Sequence, residues 1–362
     1  MTQALYVHVP FCDKICAYCD FVRVISHPKL IADYLGALKS ELDFTPKTQY
    51  KTIYIGGGTP SALNEKELTI LLEILKPESK LVQEYTIEVK PESLTPNKAK
   101  IMKRNGINRV SLGVQTFDDK ELILLHRAHR KEDIKTAMDL LIQNGITNIS
   151  IDLIYGLPLQ TVESFEKSIE EAFSLPITHL SLYSLTIEPH SEFGRNKVQK
   201  VSDEMEETLY FKAIELFKKH GFHQYEISNF TRDLPSMHNT VYWHDEDYLG
   251  IGPGAVSLVN GQRIENTKNL MAYAKGQWHD SITALSIEDQ HYECLMMGLR
   301  LKEGIQLSRY EARFNEPIEL RYGIQIQKLI FKGWLSLENG WLKATESGFP
   351  LLNTVLGELL DE

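Results

Sequence analysis

No stretch of this chain stays apolar for the roughly 18 residues that a membrane span needs. The opening "MTQALYVHVPF" holds neither a basic leader nor a long apolar run. Together these absences predict a cytoplasmic protein. Positive charge is in deficit, Lys+Arg 39 against Asp+Glu 49 for a formal net charge of -10, which argues against a polyanionic partner such as nucleic acid. A local basic groove remains compatible with that balance. Cysteine is scarce, 4 in 362 residues, too few for a disulfide framework, and their clustering points to a metal or redox site. Neither GxxxxGK[ST] nor GxGxxG occurs, so no phosphate-loop chemistry is indicated. With 43% hydrophobic and 24% charged residues, the composition does not suggest disorder and a substantial core is available. The length suits one large domain with a small one, or two to three average domains.

What the chain does contain is an alternation. Runs rich in β-branched residues, "ALYVHVPF", "KTIYIGGGTP", "YTIEVKPES", "RVSLGVQTF", "NISIDLIYGLP" and "HLSLYSLTIEP", read as six strands in order. Helical patterns lie between them, at Lys29–Phe44, Glu65–Leu75, Asn97–Asn105, Asp118–Asn144 and Val162–Phe173, with Gly106 and Gly145 as stops. Repeated strand–helix units require right-handed crossovers and a mostly parallel sheet, either an incomplete barrel or an open doubly wound sheet. Both place ligands at the carboxyl ends of the strands.

Three of the four cysteines, Cys12, Cys16 and Cys19, fall in "CDKICAYCDF" just after the first strand. A four-iron cluster takes one thiolate per iron, so three leave one iron open, as open positions mark catalytic zinc sites. A zinc site completed by His8 or His27 is the competing reading. The second strand ends in "GGGTP", where Gly56, Gly57 and Gly58 expose backbone to a ligand or serve a tight turn. Polar residues interrupt later strands at Glu88, Gln115 and Asp152. Ion pairs with Lys90 or Arg109 would satisfy the acids individually; three polar interruptions in successive strands suggest convergence.

CxxxCxxC with Tyr18 before the third cysteine resembles the radical S-adenosylmethionine (SAM) family. Its fold is an incomplete (β/α)6 barrel, and its open iron is chelated by the amino and carboxylate groups of SAM. Reductive cleavage then gives a 5'-deoxyadenosyl radical, so the resemblance implies a [4Fe-4S] cluster on Cys12, Cys16 and Cys19. SAM contacts are implied for Tyr6, Gly57, Gly58, Thr59, Glu88, Gln115, Arg127 and Asp152, although "HRAHRKED" around Arg127 also reads as a solvated helical face. The likeness is to the coproporphyrinogen-III-oxidase-like branch and runs through "HVPFCDKICAYCDF", "YIGGGTPS", "LGVQTFDD", "IDLIYGLP" and "HNTVYWHDEDYLGIGPGA". The branch's dehydrogenases carry a further cysteine where this chain has Phe21, and a longer N-terminal arm. "HNTVYW" instead matches the HNxxYW motif of its heme chaperones and implies heme binding by His238, with Asn239, Tyr242 and Trp243 shaping the pocket.

The expected division is 1–230 as radical SAM core, 231–286 as a connector carrying the heme motif, and 287–362 as a small winged-helix-like domain. Cys294, Trp334 and Trp341 read as packing residues there. The implied activity is heme binding and transfer to apo-hemoproteins such as respiratory-chain components. An electron donor for the cluster and transient contact with a membrane surface are further expected partners. The alternative is a radical SAM oxidoreductase acting on coproporphyrinogen III or another small substrate. No side chain is assigned a catalytic role, and coproporphyrinogen dehydrogenation is not expected.

Overall fold

The computed structural model describes residues 2–46 and 48–360. Strands β1 Ala4–Val9, β2 Thr52–Gly57, β3 Glu84–Val89, β4 Arg109–Gln115, β5 Asn148–Tyr155 and β6 His179–Ser184 pair in sequence order, all parallel. Helices Pro28–Phe44, Glu65–Leu75, Pro96–Arg104, Lys131–Gln143 and Val162–Phe173 lie in the crossovers. Their ends are chemically marked. Asn64 and Glu67 form a reciprocal capping box, Thr95 and Thr161 accept from N3 amides, and Gly106 and Gly145 stop two helices at φ +90° and +75°.

Side chains alternate across each strand, and here the two faces differ in kind. Leu5, Val7, Val9, Ile53, Ile55, Ile87, Val89, Val110 and Leu112 are buried in the main apolar core. Tyr6, Tyr54, Glu88, Arg109, Ser111, Asp152, His179 and Ser181 face the other way and line a cavity. An enzyme barrel filled by Val, Ile and Leu is a packed core; this one has a polar, hollow interior.

Two features depart from the sequence reading. The helix expected over Asp118–Asn144 is broken into Asp119–Leu124 and Lys131–Gln143. Between them His126 takes φ +57°, and the turn sends Arg127 inward, 4% exposed, so it is no part of a solvated face. The segment 231–286 adds strands to the sheet. After β7 His223–Gln224 and β8 Asn229–Thr231, which extend the β6 edge, β9 Tyr248–Ile251 pairs parallel with β1. Strands β10 Val256–Val259, β11 Gln262–Asn266 and β12 His279–Ala284 continue outward as an antiparallel meander. The sheet order is β12-β11-β10-β9-β1-β2-β3-β4-β5-β6-β8-β7, with ends that do not meet, an incomplete barrel.

Helices Ile287–Gly298, Leu307–Phe314 and Ile318–Phe331 then pack with a three-stranded sheet, Ile305–Gln306, Leu335–Glu338 and Trp341–Ala344, around a separate apolar cluster. This is the winged-helix-like unit. Cys294 and Trp334 pack against that cluster, and burial pushes the Cys294 thiol up to about 12. Among the described residues no helix is long and apolar enough to cross a membrane.

Candidate functional site

The thiol loop is pinned at its base by a short pairing of Phe11–Cys12 with Val24–Ile25. The Ser26 amide donates to the Cys12 carbonyl at 3.0 Å, and the Cys19 amide donates to the Cys16 carbonyl at 3.2 Å. Arg23 bonds the carbonyls of Cys19 and Phe21. Cys12 and Cys16 are buried, and Cys19 is half-buried. The Cys12 Sγ lies 3.3 Å from Thr59 Oγ1, and Arg127 Nη1 donates toward Cys16 Sγ at 3.5 Å. Arg127 Nη2 donates to the Gly113 carbonyl at 2.5 Å, while its Nε is buried without a partner.

Zinc completed by histidine does not fit this loop. His8 has Nδ1 on the Tyr6 hydroxyl and Nε2 on the Val22 carbonyl, both at 2.9 Å, and His27 is exposed as the N-cap of helix Pro28–Phe44. Among the described residues no three His, Cys, Asp or Glu side chains converge on one ion position.

The glycines of "GGGTP" are required by the protein's own packing. A Cβ on Gly57, at φ +110°, would stand 2.6 Å from the His8 ring, and one on Gly58 would stand 2.8 Å from the Phe11 carbonyl oxygen. Their amides are also occupied: Gly57 donates to Glu88 Oε2 at 3.1 Å and Gly58 to the Val9 carbonyl at 2.8 Å. They bring β2 against the thiol loop.

Glu88 accepts from the Tyr54 hydroxyl at 2.8 Å as well. Burial, with the nearby Asp152 charge adding to it, pushes this carboxyl up to about 7 even though the Tyr54 bond opposes the shift. Burial raises Asp152 too, against hydrogen bonds from Ser181 and Ser111. Gln115 continues the inward phase of Arg109, Ser111 and Gly113 to the end of β4, where a bulge shifts the pairing with β5 between Leu112 and Gln115. It sits at φ +71°, a strained conformation for a residue with a Cβ.

At the other end of the barrel lies helix Met237–Trp243, which carries "HNTVYW". Ser236 caps it, and the Glu84 carboxylate at the start of β3 accepts from the Ser236 hydroxyl and the Met237 and His238 amides. His238 is therefore a first-turn helix residue, not a loop histidine, and only 2% exposed. Its Nδ1 is 2.8 Å from Thr52 Oγ1 and its Nε2 is 2.9 Å from the Tyr242 hydroxyl. The ring stacks on Tyr54 at 5.2 Å. Burial, then the positive Arg109, lowers its pKa to about 3, so the imidazole is neutral.

One cavity of about 650 Å³ is lined by Tyr6, Cys12, Cys16, Cys19, Gly57, Gly58, Thr59, Glu88, Gln115, Arg127, Asp152 and His238. Every residue expected to bind the cluster, SAM or heme thus lines a single chamber. Asn239 and Tyr242 line it too, whereas Trp243 faces a smaller cavity shared with Cys294, Arg309 and Trp341 of the C-terminal unit. His244 is held away by Glu303 at 2.8 Å, and His223 lies on the sheet edge. The sequence reading missed Tyr54, Arg109, His179 and Tyr225 as cavity residues. For Arg109 the signal was present: in "RVSLGVQ" it is in phase with Ser111 and Gly113, which face inward.

A family model described as the Radical SAM superfamily matches residues 6–172, and one described as the HemN C-terminal domain matches residues 285–351. The solved structure of coproporphyrinogen III oxidase (HemN) from Escherichia coli superposes with a TM-score of 0.87 at 23% identity, covering 99% of this chain and 90% of that one. Among curated relatives, the heme chaperone HemW of Bacillus subtilis is 35% identical, covering 99% of this chain and 100% of its own. HemW of Escherichia coli is 30% identical over 99% and 98%. The mitochondrial radical S-adenosyl methionine domain-containing protein 1 of Danio rerio is 31% identical over 99% and 87%. The match to HemN establishes the fold alone, but the identities to the heme chaperones hold from end to end: this chain belongs to the HemW family of radical SAM proteins.

Proposed function

We propose that the chain is a heme chaperone that binds heme in the polar barrel with His238 as ligand and passes it to apo-hemoproteins such as respiratory-chain components. One observation carries this reading: a single chamber joins the thiol loop at one end of the barrel to the "HNTVYW" helix at the other. The relatives named as heme chaperones support it.

The residues fit the family's cofactors. Cys12, Cys16 and Cys19, three thiols that line one chamber, would hold a [4Fe-4S] cluster with one iron left open. Tyr6, Gly57, Gly58, Thr59, Glu88, Gln115, Arg127 and Asp152 would hold SAM. The orphaned Arg127 Nε and the guanidinium charge suit a methionyl carboxylate, and the acids suit ribose hydroxyls and an ammonium. When bound, the cluster supplies an electron to SAM, delivered by an external donor. The chain's own part is to bind, orient and exclude water. Residues 1–230 form the core in this scheme, 231–286 carry the heme motif, and 287–362 form a separate small domain. We assign the protein to the cytoplasm, with transient contact at a membrane surface and no nucleic-acid partner.

Heme titration of anaerobically reconstituted protein, followed by transfer to an apo-hemoprotein, tests the reading. Saturable binding is expected, and His238→Ala should change the heme spectrum and slow transfer while cluster iron stays constant. With Phe21 two-thirds exposed at the chamber's rim and no thiol at that position, no conversion of coproporphyrinogen is expected. Turnover of coproporphyrinogen with SAM and a reductant, without saturable heme binding, would replace the chaperone by an oxidoreductase.

A further inference from the structure

The charge of Arg109 meets no direct ion-pair partner among the described residues, the Asp152 carboxylate acting on it only at longer range. The side chain is the first of β4, 3% exposed, and faces the chamber. Among the described residues it makes no hydrogen bond and no ion pair; its interactions are longer-range electrostatic ones with Tyr54, Asp152, His179, Tyr225 and His238. The groups that might have paired with it are engaged elsewhere. Asp152 accepts from Ser111 at 3.2 Å, and the Tyr225 hydroxyl joins His179 Nε2 at 2.9 Å and Asn239 Nδ2 at 3.3 Å. Enclosing a guanidinium without a partner is costly, and its fork is shaped for the two oxygens of a carboxylate.

Position says whose carboxylate. Arg109 and Gln115 mark opposite ends of β4, which at about 3.3 Å per residue puts them roughly 20 Å apart along the strand. Gln115 shares its end with Arg127 and the thiols, where a methionyl carboxylate already has a cation. Arg109 shares the far end with His238 and with Tyr54, which stacks on both His238 at 5.2 Å and Tyr6 at 6.2 Å. A cation beside a neutral imidazole and a flat aromatic wall matches a planar macrocycle with acidic side arms. We infer that Arg109 binds a propionate carboxylate of the tetrapyrrole and selects for the free acid. This rests on the heme-binding reading and adds to it the group on the ligand that is recognised.

The test compares heme with heme dimethyl ester, titrated into the reconstituted full chain and its Arg109→Gln variant, with SAM affinity measured alongside. Wild type should bind heme about tenfold or more tightly than the ester, the scale of a charge-assisted hydrogen bond. Arg109→Gln should bring heme down to the ester's affinity while leaving ester and SAM affinities within about twofold. The ligand-free variant should melt no lower than wild type, because the substitution removes an unpaired buried charge. Equal wild-type affinity for heme and ester overturns the assignment even if the variant fails to fold. Equal losses for both ligands assign Arg109 to structure, and a fall in SAM affinity alone assigns it to the methionyl carboxylate; either overturns the proposal. Absence of saturable binding of both tetrapyrroles overturns the heme-binding reading as well.

Discussion

Replacing Tyr242 by Phe should tighten heme binding, although it deletes a hydrogen bond at the candidate ligand. The His238 ring is held at both nitrogens, and the two bonds stand in different relation to ligation. With Nε2 on iron, Nδ1–H can still donate to Thr52 Oγ1, as metal-bound imidazoles commonly donate through their second nitrogen. The Tyr242 hydroxyl, by contrast, occupies Nε2 itself and has to leave. Phe keeps the edge-on ring contacts with His238 at 5.2 Å and Tyr248 at 4.6 Å, so the variant isolates the hydroxyl. Without it the ligand-free protein holds a buried, unsatisfied nitrogen, which costs about 1 kcal/mol or more. Heme then satisfies that nitrogen without first displacing a partner. The expected gain in affinity is roughly fivefold, read by absorbance titration, with a lowered melting temperature for the ligand-free protein and His238→Ala as the reference for lost ligation. Unchanged or weaker heme affinity in a folded Tyr242→Phe variant would refute ligation through Nε2.

Three further outcomes are expected. Changing Cys12, Cys16 or Cys19 to Ala should abolish cluster iron on anaerobic reconstitution, whereas Cys294→Ala, a buried thiol in the C-terminal unit, should leave the iron-to-protein ratio at the wild-type value. Glu88→Gln and Asp152→Asn should each weaken SAM binding by calorimetry, by roughly tenfold to a hundredfold if a charge-assisted hydrogen bond is lost, with iron content unaltered. Glu88 and His238 should leave opposite marks on stability against pH. The raised Glu88 carboxyl contributes stability that is full below its unfolded value near 4.5 and lost as pH rises through about 7. The depressed His238 contributes stability that is full above about 6.5 and lost as pH falls toward about 3. Chemical denaturation across pH 4 to 8 should therefore show Glu88→Gln removing a loss on the alkaline side only; a pH-independent effect would contradict the shift.

Much of the core was legible because it is written in local patterns. The parallel strands follow from β-branched runs with period two, and the helix ends from Asn64, Thr95, Gly106 and Gly145, whose capping chemistry acts within a few residues. Strand β9 escaped notice because "YLGI" is too short to carry a period, and its partner β1 lies more than two hundred residues earlier. The break at "LHRAHR" was missed for a related reason: every residue there is compatible with helix, and only the inward demand of Arg127 and the buried His129 ends it.

The sequence by itself determined which chemistry is present: three thiols at CxxxCxxC spacing, a glycine run after the second strand, polar residues in phase on successive strands, and the "HNTVYW" motif. Tertiary structure alone decided how those groups stand to one another. It placed the Gly57 amide on Glu88, turned Arg127 toward Cys16, set His238 against Thr52 at the opposite end of the barrel, and left Arg109 without a direct ion pair among the described residues. These are contacts between residues dozens to hundreds of positions apart, fixed by strand register and the curvature of one sheet, and a one-dimensional pattern holds no term for them.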